Sequence, residues 1–124
     1  MWLFPGVDII EIARFAGACR RQPRLLERLF TESEREALAG RGMQSWAVRF
    51  AAKEAVMKAL GTGLRGLSWH DIEILSQPSG EPVVQLSVLA RQAAQARGNG
   101  EVRLSLSHNK TQAIAVAILT NDRG

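Results

Sequence analysis

Four charged residues with helical spacing stand out: Arg49, Lys53, Glu54 and Lys58. On a helix, Glu54 and Lys58 are four residues apart and share a face, and Arg49 and Lys53 do the same on a neighbouring stripe. That pattern fits a salt-bridged solvent face, or a surface offering one carboxylate and three cations to an anionic ligand. A second carboxylate, Asp8, interrupts the apolar run Val7, Ile9, Ile10. An ionised group there is costly unless it is paired, hydrogen-bonded or on a metal, the alternative being an edge strand open to water. Two hard oxygen ligands suit magnesium if a metal is bound. With two histidines and one cysteine in the chain there is no zinc spacing. No Ser-His-Asp order or nucleophile elbow is present. Gly61 and Gly63 close the charged segment, as helix-ending glycines or as a weak phosphate loop. Ser107 and His108 leave a strand, where a histidine serves structure or touches a ligand.

The net charge of +4 is concentrated in one place. Between positions 14 and 28 stand Arg14, Arg20, Arg21, Arg24 and Arg28 against the single acid Glu27, so this segment carries the whole excess. Elsewhere eleven basic and eleven acidic residues cancel. Arginine forks match planar carboxylate or phosphate groups, so the patch suits an anionic partner better than it suits mere solubility. A small basic nucleic-acid-binding module is the alternative this charge allows. Against it, tyrosine is absent, and the four Phe and three Trp are not interleaved with basic residues.

These groups need a scaffold, and 124 residues with 46% hydrophobic content suit one domain over positions 1–124. Leu3 to Ile12 reads as a strand running into a helix near Ala13. Pro23 breaks that helix or starts a short second one, Arg24 to Phe30. Thr31 and Glu34 fit a capping box for a third helix stopping at Gly40 or Gly42. Ser45 is the expected cap of the charged, alanine-rich helix, which ends at Gly61. Trp69 to Leu75 alternates like a strand, and Val83 to Val88 pairs back across the Ser79-Gly80 turn. Leu89 to Arg97 is helical and ends at Gly98-Asn99-Gly100. Val102–Leu106 and Ala113–Leu119 form a second antiparallel pair. The class is α+β: an N-terminal strand and helices, then a mainly antiparallel sheet with one further helix. The lone Cys19 cannot form an internal disulfide, and no window approaches the about 18 apolar residues of a membrane span, so a cytoplasmic protein is expected.

The residues from Gly6 to Arg14 (GVDIIEIAR) and from Arg49 to Gly63 (RFAAKEAVMKALGTG) resemble the opening and central signature of the holo-acyl-carrier-protein synthases, the small-type 4'-phosphopantetheinyl transferases. Trp69 to Ile74, Gly80 to Pro82 and Leu104 to His108 follow in that family's order, so the likeness runs from about Gly6 to Leu119. The resemblance implies a phosphopantetheinyl-transferase-like fold. It also implies magnesium-dependent transfer of 4'-phosphopantetheine from coenzyme A to a serine of an apo acyl carrier protein, leaving adenosine 3',5'-bisphosphate. By the same resemblance, Asp8 and Glu54 hold magnesium, and Lys58 stands beside the transferred phosphate. Arg49, Lys53, Gly61, Gly63, Ser107 and His108 belong to the coenzyme A site, and Arg14 with its neighbouring arginines meets the carrier. A homotrimer is implied, with Asp8 and His108 of one subunit near Glu54 and Lys58 of another.

Overall fold

Alternating and β-branched residues at the start of the chain form β1 (Leu3–Glu11), which passes directly into α1 (Ile12–Arg21). Pro23 lies in the turn before the five-residue α2 (Leu25–Leu29). The Thr31 hydroxyl accepts from the Glu34 N–H and the Glu34 carboxylate accepts from the Thr31 N–H, so α3 (Glu32–Leu38) starts on the expected capping box. The long helix α4 (Met43–Leu60) follows, then a one-turn 3-10 helix (Trp69–Asp71), β2 (Ile72–Ser76), β3 (Pro82–Leu86), α5 (Val88–Arg97), β4 (Val102–His108) and β5 (Gln112–Thr120). This computed structural model describes residues 2–63, 65–98 and 101–120. The Asn99-Gly100 end foreseen for α5 lies outside them.

Two local expectations are corrected. Ser45 does not cap α4; the helix begins at Met43 on an extended Gly42, whose carbonyl accepts from the Ser45 N–H. Trp69 to Asp71 is not strand. The Asp71 carboxylate accepts from the Ser68 N–H and hydroxyl, which winds this segment into a capped turn before β2 begins.

The strands make two antiparallel sheets, β1-β5-β4 and the hairpin β2-β3. The last strand is therefore central, with Asp8 opposite Ala115 on one side and His108 opposite Ala113 on the other. The helix α4 lies across the larger sheet with core on both flanks. Ala51, Ala55, Val56 and Leu60 join Ala115, Ala117 and Leu119 in one cluster. Trp46, Ala47 and Val48 join Phe15, Leu29, Phe30 and Leu38 in the other. Most of the helix surface is buried, its alanines allow close packing, and of its charged residues only Arg49, Glu54 and Lys58 reach outward. Among the described residues no helix is long and apolar enough to cross a membrane.

One contact sets the distance between strand and helix. Gly6 is buried, and a Cβ there would lie 2.0 Å from the Ala55 carbonyl oxygen and 2.7 Å from the Ala59 nitrogen. The backbones of β1 and α4 thus touch where neither has a side chain larger than methyl.

Candidate active site

The close crossing at Gly6 puts the next two residues of β1 against the polar stripe of α4. The Lys58 Nζ donates to the Val7 carbonyl at 2.9 Å and to Asp8 Oδ1 at 3.0 Å. Asp8 is mostly enclosed, with 12% of its side chain exposed, while Lys58 reaches solvent. The second Asp8 oxygen, Oδ2, is buried with no hydrogen-bond partner. Beside it, Glu54 is pushed up from 4.5 to about 7 by partial burial first, then by the hydrogen bond its neutral form makes to Asp8 and by the Asp8 charge, with Lys58 opposing. Two carboxylates crowd one point here, and one lysine does not neutralise both. An unpartnered buried oxygen next to a second carboxylate matches the oxygen donors a hard divalent cation takes, so Asp8 and Glu54 fit magnesium. Among the described residues no group of three metal-ligating side chains occurs.

Asp8, Glu54 and Lys58 meet within a single chain. This corrects the expected division that put Asp8 on one subunit and Glu54 with Lys58 on another. His108 is not with them. It ends β4, on the far side of β5 from Asp8, and its exposed ring lines a hollow of about 440 Å³ with Ile12, Gln44, Asn109 and Lys110. Ser107 is exposed on the same strand.

Arg49 is also apart from the carboxylates. Its guanidinium donates to the Ile74 and Leu75 carbonyls and to the Ser76 hydroxyl, tying α4 to β2. Burial, and then the nearby Arg41, lower its proton affinity. Both arginines line a cleft of about 240 Å³. The expectation of a coenzyme A contact at Lys53 is corrected. Its side chain is fully buried, with Nζ 2.6 Å from Glu34 Oε1, so no ligand in solvent reaches it. Gly61 ends α4 in the left-handed region, φ +78°, and leaves room for Arg97, which donates to the Ala59 carbonyl. Gly63 follows in the exposed turn.

The five arginines are all exposed, on α1 and around α2. Sequence reasoning missed what lies between them: an apolar cleft of about 540 Å³ lined by Phe15, Leu25, Leu29, Phe50 and Trp69, with Arg14 and Arg28 at its rim. It also missed Gly6 and the second use of Glu34. The alanines at 55 and 59, one turn apart, were the available sign that another backbone crosses α4 closely.

The sequence matches the family model of the 4'-phosphopantetheinyl transferase superfamily over residues 5–118. It is 50% identical over 116 residues to the holo-[acyl-carrier-protein] synthase of Desulforudis audaxviator, covering 91% of this chain and 88% of that one. It is 51% identical over 116 residues to the same enzyme of Moorella thermoacetica, covering 92% and 91%. The fold superposes on the crystal structure of Helicobacter pylori holo-[acyl-carrier-protein] synthase in complex with coenzyme A with a TM-score of 0.80 at 34% identity, covering 91% of this chain and 96% of that one. With strand, helix and carboxylate pair arranged on that fold, the chain belongs to the 4'-phosphopantetheinyl transferase superfamily, among its holo-[acyl-carrier-protein] synthases.

Proposed function

We propose that this enzyme transfers 4'-phosphopantetheine from coenzyme A to a serine of an apo acyl carrier protein. The carrier serine oxygen bonds to the phosphorus that bears pantetheine, the pyrophosphate P–O bond breaks, and adenosine 3',5'-bisphosphate leaves. The observation that carries this reading is the Asp8, Glu54 and Lys58 cluster of one chain. Phosphoryl transfer asks mainly for positioning and charge neutralisation, and the nucleophile belongs to the partner, which is why this chain needs none.

Asp8 and Glu54 would hold magnesium, which when bound neutralises charge on the pyrophosphate oxygens. Lys58, anchored at the Val7 carbonyl, presents an ammonium to the transferred phosphate. The serine proton needs an acceptor, which a carboxylate of this site can supply. Arg49 with Arg41 supplies cationic surface for the nucleotide phosphates, and Ser107 and His108 complete that end from a neighbouring copy. Gly61 and Gly63 form the turn that follows Lys58 and contribute backbone to the coenzyme A site.

The homotrimer with its sites between subunits that the family resemblance implies is supported by the outer face of the larger sheet. Leu3, Val7, Ile9 and Ile114 are exposed there, 37–58% each, in register across β1 and β5. A contiguous apolar sheet face of this kind calls for a cover, and a second copy supplies one. The carrier docks with its acidic surface on Arg14, Arg20, Arg21, Arg24 and Arg28 and an apolar side chain in the cleft they border, which Ile9 of β1 also lines. The same reading places the enzyme in the cytoplasm, where the free thiol of Cys19 stays reduced. Incubation with coenzyme A, magnesium and an apo carrier protein should add the phosphopantetheine mass to the carrier. An unmodified carrier, with folded enzyme and intact coenzyme A, would refute the assignment.

A further inference from the structure

Lys53 is a charged side chain for which the transfer has no use, yet it sits in the middle of the signature helix. It is wholly buried, and so is Glu34, to which it donates at 2.6 Å. Glu34 joins three elements at once. Its Oε1 also accepts from the Thr31 N–H at 2.9 Å, at the start of α3, and its Oε2 accepts from the Ile74 N–H of β2 at 2.8 Å. The Thr31 hydroxyl extends the network to Glu73 of β2 at 2.6 Å, and the Lys53 ammonium lies 5.4 Å from the centre of the Phe30 ring.

The position of this network around α4 is informative. Counting about 100° per residue from Lys53, Glu54 and Lys58 lie at about 100° and 140°, and Ala55 and Ala59 at about 200° and 240°. Ala55 and Ala59 are the residues on which Gly6 of β1 rests. The helix is therefore held on two nearly opposite sides, by β1 through Gly6 and by α3 and β2 through Lys53. The stripe bearing Glu54 and Lys58 lies between the two holds. A side-chain tip about 5–6 Å from the axis moves about 1 Å when the helix turns by about 10°. A displacement of that size at a reacting centre can cost about 10²-fold in rate.

We propose that Lys53, through its buried ion pair with Glu34, is a positioning residue that fixes the rotation of α4 so that Glu54 and Lys58 converge on Asp8. This rests on the assignment of those three residues to the transfer. A purely apolar contact resists a small roll of the helix only through shape, since apolar attraction itself lacks direction. An ion pair whose carboxylate is also fixed by two backbone N–H groups does not permit that roll.

The test compares Lys53→Met and Glu34→Gln, singly and together, with Glu54→Ala and with the core variant Leu119→Ala, all at a temperature where circular dichroism shows them folded. Lys53→Met should lower kcat by about 10- to 100-fold while the KM for coenzyme A changes by less than about threefold. Glu34→Gln should act in the same direction, and the double variant should be no worse than the worse single, because the two side chains act as one unit. Manganese binding to the coenzyme A-free protein, read by electron paramagnetic resonance, should weaken in Lys53→Met and not in Leu119→Ala. Should Lys53→Met not fold, Glu34→Gln carries the same comparison. Full kcat in Lys53→Met alongside inactive Glu54→Ala overturns the positioning role, as does an equal loss in Leu119→Ala. Full activity in Glu54→Ala overturns the assignment of the site itself.

Discussion

Glu54 keeps its proton to about 7 because it is half out of water and faces Asp8. Holding a cation and accepting a proton both need the anion. The kcat/KM should therefore fall as pH drops through the Glu54 ionisation, and saturating magnesium should move that inflection lower. Stability has the opposite sign. Between 4.5 and about 7 the folded metal-free protein holds a proton that the unfolded chain has lost, so its stability falls as pH rises across that window. Glu54→Gln should flatten this decline in urea titrations of the metal-free protein, while an unchanged slope would place its cause elsewhere. Gly6→Ala should destabilise the fold by at least about 1–3 kcal/mol and separate Asp8 from Lys58, since the added methyl meets backbone that cannot swing away. Thermal melts and turnover check both effects. Asp8, Glu54 and Lys58 stood out in the sequence by type, as a carboxylate in an apolar strand and an i,i+4 pair, but their common role came from the family resemblance and their meeting within one chain was not legible. Glu34 was not, because its capping-box spacing already accounted for it and nothing local reveals that the same carboxylate faces a lysine 19 residues away.

Helix α1 and the short α2 place the arginines as an exposed group rather than as one continuous stripe, because Pro23 turns the chain between them. Each exposed charge pair with an acidic carrier contributes only about 0.2–1 kcal/mol. Arg14→Glu should therefore raise the carrier KM several-fold and leave coenzyme A binding unchanged, since Lys58 and the carboxylates lie elsewhere. Added salt should reproduce the effect through screening over about 8–10 Å. Surface plasmon resonance against carrier and coenzyme A separates the two; a loss of coenzyme A affinity would assign the patch to the wrong partner. Most element boundaries followed from punctuation by Gly, Pro and capping residues. The exceptions were decided by contacts outside the local pattern. The start of α4 extends past Ser45, with Trp46, Ala47 and Val48 buried in a core that periodicity alone does not describe. The Asp71 cap converts an alternating segment into a turn.

At the scale of the molecule, the exposed apolar sheet face is the feature a lone chain does not explain. Ile114→Arg places a charge within it, beside Ile9. That variant should sediment as a monomer with native circular dichroism and lose transfer activity, because Ser107 and His108 would no longer meet another copy's site. An active monomer would refute the shared site. The α+β class was readable from the order of apolar periods. The pairing of first strand with last was not, since no local signal records contacts more than a hundred residues apart.

That pairing has a consequence for how the enzyme comes into being. Among the described residues the only strand that bonds to β1 is β5, from Leu3 against Thr120 to Glu11 against Gln112. Asp8 and its partner across the sheet, Ala115, are separated by a long stretch of chain, so β1 lacks this pairing until β5 is in place. A polypeptide ending at Thr111 would carry every charged group of the cluster but would lack the strand that pairs with β1, leaving the contacts of Gly6, Val7 and Asp8 to hold β1 on α4. Forming the site therefore requires the closing of a long loop, the kind of non-local contact that slows folding.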